Sequence, residues 1–284
     1  MSDYKVQYET QGFIHLPGAV NPVMLAKLKS SFDCAAEKYA SRWKGSAASQ
    51  SKATFEIPNI LDEDDVFVDL VDATSVFPVL LEILGDDIQL QQTQARIFPP
   101  GPTFTAPWHS DLRDVNGIDL SHSLNFLVKV HYYPEDLTPD QGCLAFIPGS
   151  HRYPARHPQP ETDYRKESPA MKKIVPKAGD AILFNAHVLH MALDNRSPYV
   201  RKSLIYVYSH FWLKNYTTAI PRDLDRLATT PQRKQLFGIP SPAANGSYFA
   251  QTVRTPSIRS DVKEALSARW KLLRRKKEVS FGKA

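Results

Sequence analysis

The sequence predicts a mainly β protein with flanking helices, a sandwich or barrel of short strands buttressed by helical segments. Three observations carry this. Apolar residues recur at helical spacing through the first third of the chain, the period falls to two after Asp87, and turn signals then separate a series of short apolar runs. A helical lead followed by consecutive strands is the pattern of helices packed against a β-sandwich or barrel.

The elements follow in order. Gly12-Phe13-Ile14-His15-Leu16-Pro17-Gly18 reads as a short strand closed by a turn. Asn21 is suited to cap a helix that carries Pro22 in its first position. Leu25, Leu28, Phe32, Ala35 and Tyr39 give that helix one buried face. Residues 45–51 are small and polar and read as a loop. A second helix is expected over about 75–84, with Pro78 tolerated in its first turn and Gly85 as its stop. Residues 88–98, rich in Gln and Thr, are extended. Over 124–133 the alternation is strict: Leu124, Phe126, Val128, Val130 and Tyr132 face one way, and Asn125, Leu127, Lys129, His131 and Tyr133 the other. Further strands are expected over 143–147, 181–184, 188–193 and 202–211, separated by Pro139-Asp140-Gln141-Gly142, Pro148-Gly149-Ser150 and Gly179-Asp180. Residues 113–123 and 152–171 are long for plain connections and read either as lids over a site or as surface insertions.

The chain of 284 residues is expected to form one domain over 1–253 and a basic tail over 254–284. The tail holds ten Lys and Arg against three acidic residues, so the formal charge of +5 leaves −2 elsewhere. A nucleic-acid-binding body would carry its basic face on the folded domain, so no nucleic-acid partner is expected. Residues 260–277 read as a helix capped by Ser260 or Asp261, with Val262, Leu266, Trp270 and Leu273 on a face that packs on the domain. The two cysteines, Cys34 and Cys143, lie far apart and suggest neither a disulfide framework nor a thiolate metal site. No apolar run is long enough for a membrane span and no leader is visible, so a cytoplasmic setting is expected. The sequence offers no reading of oligomeric state.

The chemistry centres on Trp108-His109-Ser110-Asp111. On an extended chain the side chains of His109 and Asp111 point the same way and can hold one metal ion together. A second His from a distant strand would complete two imidazoles and one carboxylate, a facial set suited to non-heme iron(II) that leaves positions open for a cosubstrate and oxygen. His187 and His190 compete for that role, and their spacing puts them on opposite faces of a strand. Arg201 follows His190 by eleven residues, and Ser203 shares its face. An Arg there can clamp a carboxylate with two parallel hydrogen bonds, and Ser203 can add a third. That favours His190 as the ligand.

These motifs resemble the phytanoyl-CoA dioxygenase family of iron(II)- and 2-oxoglutarate-dependent oxygenases. The likeness rests on the Gly12–Gly18 stretch, Trp108-His109-Ser110-Asp111, Gln141-Gly142 with Ile147-Pro148-Gly149-Ser150-His151, and Gly179-Asp180 with His190, Asn195 and Arg201. Pro231-Gln232 leading to Leu236-Phe237-Gly238 resembles the family's closing segment. The resemblance covers about residues 7 to 240 and implies a double-stranded β-helix (jelly-roll, cupin-like) core. It implies iron on His109, Asp111 and His190, and the 2-oxoglutarate carboxylate on Arg201. O2 would be the oxidant, succinate and CO2 the coproducts, and a small organic molecule of specialised metabolism the substrate, hydroxylated by default. Lys129 and Gln94 match polar positions that relatives such as ectoine hydroxylases place near the cosubstrate. Many relatives have Ser or Thr where this chain has Ala192, so that hydrogen bond would be either lost or supplied by Lys129 or Ser203. Asp111 argues against halogenation, which needs a small residue in its place.

Plainer roles are expected for the remaining candidates. His15, His122, His157 and His210 read as structural, and His151 as support for the adjacent turn. Arg96 reads as a surface or ion-paired residue, with an acidic substrate group as the alternative, Trp108 as packing beside the site, and Tyr132 and Tyr133 as core and rim. His131 shares the Lys129 face and either lines the pocket or packs. A jelly-roll hydrolase or isomerase and a catalytically idle binding module are the competing classes, and oxygen consumption coupled to 2-oxoglutarate separates them from an oxygenase.

Overall fold

The computed structural model describes residues 2–43, 54–101, 108–111, 114–115, 118–119, 126–153, 170–213 and 221–239. The expected tail helix, the loop over 45–51 and most of the two long connections lie outside them. Helices α1 (Asp3–Gln11), α2 (Pro22–Lys38), α3 (Ala40–Trp43), α4 (Asp65–Asp69) and α5 (Phe77–Leu84) occupy the first third, with strands β1 (Phe13–Leu16) and β2 (Phe55–Pro58) among them. Strands β3 (Ile88–Phe98), β4 (Asp114–Val115), β5 (Ile118–Asp119), β6 (Leu127–Tyr132), β7 (Leu144–Phe146), β8 (Lys172–Ile174), β9 (Ala181–Asn185), β10 (His190–Ala192) and β11 (Arg201–His210) follow. The short helices α6 (Leu224–Leu227) and α7 (Pro231–Leu236) come last among the described residues.

Local chemistry sets the boundaries. Asn21 accepts a hydrogen bond from the Met24 amide at 2.9 Å, and Pro22 opens α2 as expected. Leu28, Phe32, Ala35 and Ala36 are its buried positions, and Leu25 and Tyr39 pack partly against the same core. Helix α5 begins two residues later than expected and ends at Gly85. Helix α1 was not legible in the sequence, because its apolar residues follow no helical stripe. Ser2 caps it, Gly12 ends it at φ 86°, and burial of Tyr8 docks it.

Among the described residues all the strand pairing is antiparallel. A six-stranded sheet runs β1-β9-β6-β11-β3-β2, and a three-stranded sheet runs β10-β7-β8. A backbone bridge between His109 and His190 extends the smaller sheet by the metal-motif segment. The two sheets facing each other form the expected jelly-roll core. Helices cover the outer face of the larger sheet. There Val128, Val130, Tyr132, Leu204, Tyr206 and Tyr208 pack with Leu28, Phe32, Phe67, Leu70 and Leu80. Three phenols pin this layer: Tyr132 donates to Leu70 O (3.2 Å), Tyr206 to Phe67 O (2.6 Å) and Tyr208 to Val71 O (2.7 Å). Over Leu127–Tyr132 the expected alternation separates two largely buried environments rather than core from solvent, while Phe126 departs from it and packs with Leu127, Ala186, Ile205 and Val207; residues 124 and 125 lie outside the described residues.

A bulge in β3 changes which residues look inward. Val207 pairs with Gln92 but Tyr208 pairs with Leu90, so Gln91 is an extra residue. Before it, Ile88 and Leu90 join the helix-side core; after it, Ala95 and Ile97 do. Gln92, Gln94, Arg96 and Phe98 are thereby turned to the interior.

The turn into β9 is tightly built. Gly179 has φ +88°, and a Cβ there would meet Val20 O at 2.9 Å. The Asp180 carboxylate accepts from the amides of Gly18 (2.9 Å) and Lys177 (2.8 Å) and bonds His15 Nε2 (2.7 Å), which gives His15 the structural role expected of it. Gly179→Ala should destabilise the fold by about 1–3 kcal/mol, through left-handed strain and the carbonyl clash. Denaturant unfolding reads this as a lower midpoint with an unchanged slope. Among the described residues no helix is long and apolar enough to cross a membrane, and Cys34 and Cys143 are both free thiols.

Candidate metal and cosubstrate site

His109 and His190 face each other across antiparallel backbone bonds, His109 N to His190 O at 3.1 Å and His190 N to His109 O at 3.0 Å. Their rings lie 4.3 Å apart. Asp111 is held by its amide, which donates to Ala186 O at 2.8 Å, and Ser110 Oγ bonds the same carbonyl at 3.3 Å. Its carboxylate reaches both imidazoles: Oδ1 lies 3.8 Å from His109 Nε2 and Oδ2 lies 3.7 Å from His190 Nε2. One ligand atom from each of the three residues falls within 4.8 Å of the others. Two imidazoles and a carboxylate at this spacing suit a divalent metal with open coordination positions.

The ligand atoms are prepared for that task. His190 Nδ1 bonds Val188 O at 2.9 Å, which fixes the tautomer that leaves Nε2 as the donor to a metal. Its ring packs on Phe184 (4.8 Å) and Phe146 (6.2 Å), and Phe13 stacks on Phe146 at 4.5 Å. Burial pushes the His190 imidazole down to about 3 despite the opposing Asp111 charge, so it is neutral at ordinary pH. Burial pushes the Asp111 carboxyl up, but Lys129, His190 and His109 together outweigh it and hold the group at about 2. His187 is also buried, on the turn before β10, and its Nδ1 bonds Asn185 Oδ1 at 3.1 Å, away from the triad. Trp108 is buried beside the site with Ala145, Ile147, Leu189 and Met191.

Lys129 points inward as its strand parity required, but its partner differs from the expected one. The ammonium sits 2.7 Å from Asp111 Oδ2, so the anion it meets is the triad carboxylate. In the metal-free protein this pair should be stabilising, because Lys129→Met leaves a largely buried carboxylate alone, at a cost of about 1–3 kcal/mol. The folded pKa of Asp111 lies below its ordinary value. The contribution is therefore present above roughly pH 4 and lost as pH falls through about 2. Thermal melts at pH 7 should show the loss, and adding Asp111→Asn to Lys129→Met should remove most of it.

Arg201 opens β11 at the far end of the same face and is 1% exposed. Its Nη1 donates to Gly142 O, and the guanidinium lies 4.5 Å over the Phe98 ring. Asn195 delivers it: the buried amide donates to Phe98 O (3.0 Å) and Tyr199 O (2.8 Å), and Gln141 Nε2 donates to Val200 O (3.2 Å). Among the described residues no carboxylate pairs with Arg201, and neither its Nε nor the buried Ser203 Oγ has a hydrogen-bond partner. A buried guanidinium without a counter-ion fits a site that receives an anion.

Gln94 is buried on the inner face of β3. With its carbonyl toward Arg96, its amide accepts from Nη2 (3.1 Å) and Nε (3.0 Å). Arg96 also pairs with Glu56 on β2 at 2.7 Å, the ion-paired role expected of it. Sequence reasoning missed Glu56, because β2 carries no legible pattern, and it missed the aromatic rim. Trp212, 41% exposed, stacks on His210 at 5.4 Å and meets Phe126 edge-on at 5.6 Å. Phe126 in turn lies 6.3 Å from His187, next to the carbonyl of Ala186 that holds Asp111. Composition alone gave no signal for this grouping, since its members come from three separate segments.

Known proteins fit this picture. Residues 8–203 match the family described as phytanoyl-CoA dioxygenase. The ectoine dioxygenase of Nocardia farcinica is 26% identical over 165 residues, which are 50% of this chain and 54% of that protein, so the match spans only about half of the relative. The 2-aminoethylphosphonate dioxygenase of an uncultured bacterium is 20% identical over 73% of this chain and 80% of its own. The crystal structure of HygX from Streptomyces hygroscopicus with nickel and 2-oxoglutarate bound superposes with a TM-score of 0.60 at 17% identity, covering 78% of this chain and 93% of that one. The fold, the convergence of the triad and the family match over more than half the sequence agree: the chain belongs to the phytanoyl-CoA dioxygenase family of iron- and 2-oxoglutarate-dependent oxygenases.

Proposed function

We propose that the chain binds iron(II) through His109, Asp111 and His190, binds 2-oxoglutarate through Arg201 and Ser203, and oxidises a small organic substrate, by default hydroxylating it. The convergence of the three ligand atoms carries this reading. Bound together, iron(II) and 2-oxoglutarate supply oxygen activation, with succinate and CO2 as coproducts. The chain's own residues supply position and dryness. His190 is fixed in one tautomer and buried among phenyl rings. Lys129 holds one oxygen of Asp111, which orients the carboxylate and keeps it ionised. Gln94 acts through Arg96, which adds positive charge to the interior. The Phe146, Phe184 and Phe13 wall keeps bulk water from the reacting centre.

The substrate is read as a small molecule approaching across the rim of Phe126 and Trp212, where an exposed indole beside the site offers a flat apolar surface. The test is an anaerobic titration of the protein with iron(II) and 2-oxoglutarate followed by visible absorption, then exposure to oxygen with succinate measured. A charge-transfer band and oxygen-dependent succinate are expected. Metal binding with neither would favour a hydrolase or isomerase of the same fold, and failure to bind metal an idle module.

A further inference from the structure

We propose that His131 is a cosubstrate-binding residue that donates a hydrogen bond to the distal carboxylate of 2-oxoglutarate, beside Arg201 and Ser203. The inference rests on the reading above that the jelly-roll interior receives this diacid.

His131 lies in the middle of β6 and is 4% exposed. Neither ring nitrogen has a hydrogen-bond partner among the described residues. A buried imidazole always carries at least one N–H, and buried polar groups in native proteins are nearly always paired. The walls around it cannot meet that need. Its neighbours in register are Ile205 on β11 and Ile182 on β9, and the Phe184 ring lies 5.1 Å away. The unmet nitrogens share the interior with other unmet groups, among them Arg201 Nε, Ser203 Oγ and Tyr133 Oη.

Register locates His131, Ser203 and Arg201 along the barrel. On the inner face Lys129 pairs with Val207, His131 with Ile205, and Ser203 with Arg96, while Arg201 pairs with Phe98. His131 thus sits one row from the Lys129–Asp111 pair toward the Ser203 and Arg201 end. The charged or basic groups that act on it are Arg96 from β3, Arg201 from β11, Lys129 from its own strand and His190 from β10. The three cations have no acceptor to offer, and His190 Nε2 is turned to Asp111. Burial and these neighbours keep the imidazole uncharged, so it presents one donor to whatever enters. An anion reaching Arg201 and Ser203 from the triad passes this donor, and the distal carboxylate is the part of the cosubstrate that ends there.

Calorimetry on the zinc-loaded full chain tests this with two ligands, 2-oxoglutarate and 2-oxovalerate, which has a methyl in place of the distal carboxylate. His131→Leu should weaken 2-oxoglutarate by about tenfold to a hundredfold, as for loss of a hydrogen bond to a charged group. It should leave 2-oxovalerate within about twofold, because that ligand never makes the contact. His131→Gln, whose amide can donate, should keep most of the affinity. Equal weakening of both ligands would mean a packing role, and no weakening of either would mean that His131 is met by water; each overturns the proposal. Should His131→Leu fail to fold, the wild-type protein labelled with 15N-histidine gives the same answer. A ring resonance assigned by its loss in His131→Gln should shift with 2-oxoglutarate and not with 2-oxovalerate, and equal or absent shifts would overturn the assignment. Wild-type protein that binds no 2-oxoglutarate at all would instead remove the underlying reading.

Discussion

Alanine in place of Asp111 or His109 should reduce 2-oxoglutarate-dependent succinate formation to background. The expected loss is more than about a hundredfold, since removing only an outer partner of a metal ligand commonly costs about 10–100-fold. Asp111 is the only carboxylate in the cluster, and it touches both imidazoles and Lys129. Without it the two histidines share their site with an unpaired ammonium that repels a divalent cation. His109→Ala leaves His190 and Asp111 in contact but takes away one third of the donor set. Coupled assays of succinate and oxygen consumption, run beside a cobalt(II) titration, separate loss of metal from loss of turnover. Undiminished succinate from either variant would dismiss the triad.

Alanine at Arg201 should act on the cosubstrate rather than the metal. Two charge-assisted hydrogen bonds from a buried guanidinium are at stake, each worth about 1.5–3 kcal/mol. The KM for 2-oxoglutarate should therefore rise by roughly two orders of magnitude or more. Metal affinity should hold, because Arg201 stands at the opposite end of β11's inner face from the row that meets Asp111. Arg201→Lys should rescue little, since a single ammonium cannot reproduce the planar fork or its stacking on Phe98. An unchanged KM in Arg201→Ala would transfer the anchor to Arg96, the other guanidinium turned inward.

The sequence revealed the triad residues more readily than their surroundings. A His-x-Asp pair on an extended segment, a third ligand fixed by its distance to Arg201, and strict alternation through Lys129 are all local patterns. Their convergence in space follows the expected parities. The partner of Lys129 was not legible, because parity gives a direction but not which of two anions will be met. Strand β2 and helix α1 escaped for a related reason. Their own residues carry weak periodicity, and packing against β3 and burial of Tyr8 hold them in place. The Ile88–Phe98 strand was recognised as extended, but the facing of its second half was hidden. Period-two counting has no means of registering an extra residue, and Gln91 is one.

That extra residue bears on how relatives of this chain can diverge. Deleting Gln91 would simply close the bulge and leave every facing as it is, whereas taking Gln91 into the ladder would slip the pairing by one and turn over everything after it: Thr93, Ala95 and Ile97 would line the chamber, and Gln94, Arg96 and Phe98 would be thrust among the helices. Amino-acid composition would barely alter, yet a cationic cavity would become a greasy one. A relative that keeps all eleven residues of this strand but loses the bulge could therefore exchange one class of guest for another, and a gap-free alignment would give no sign of it.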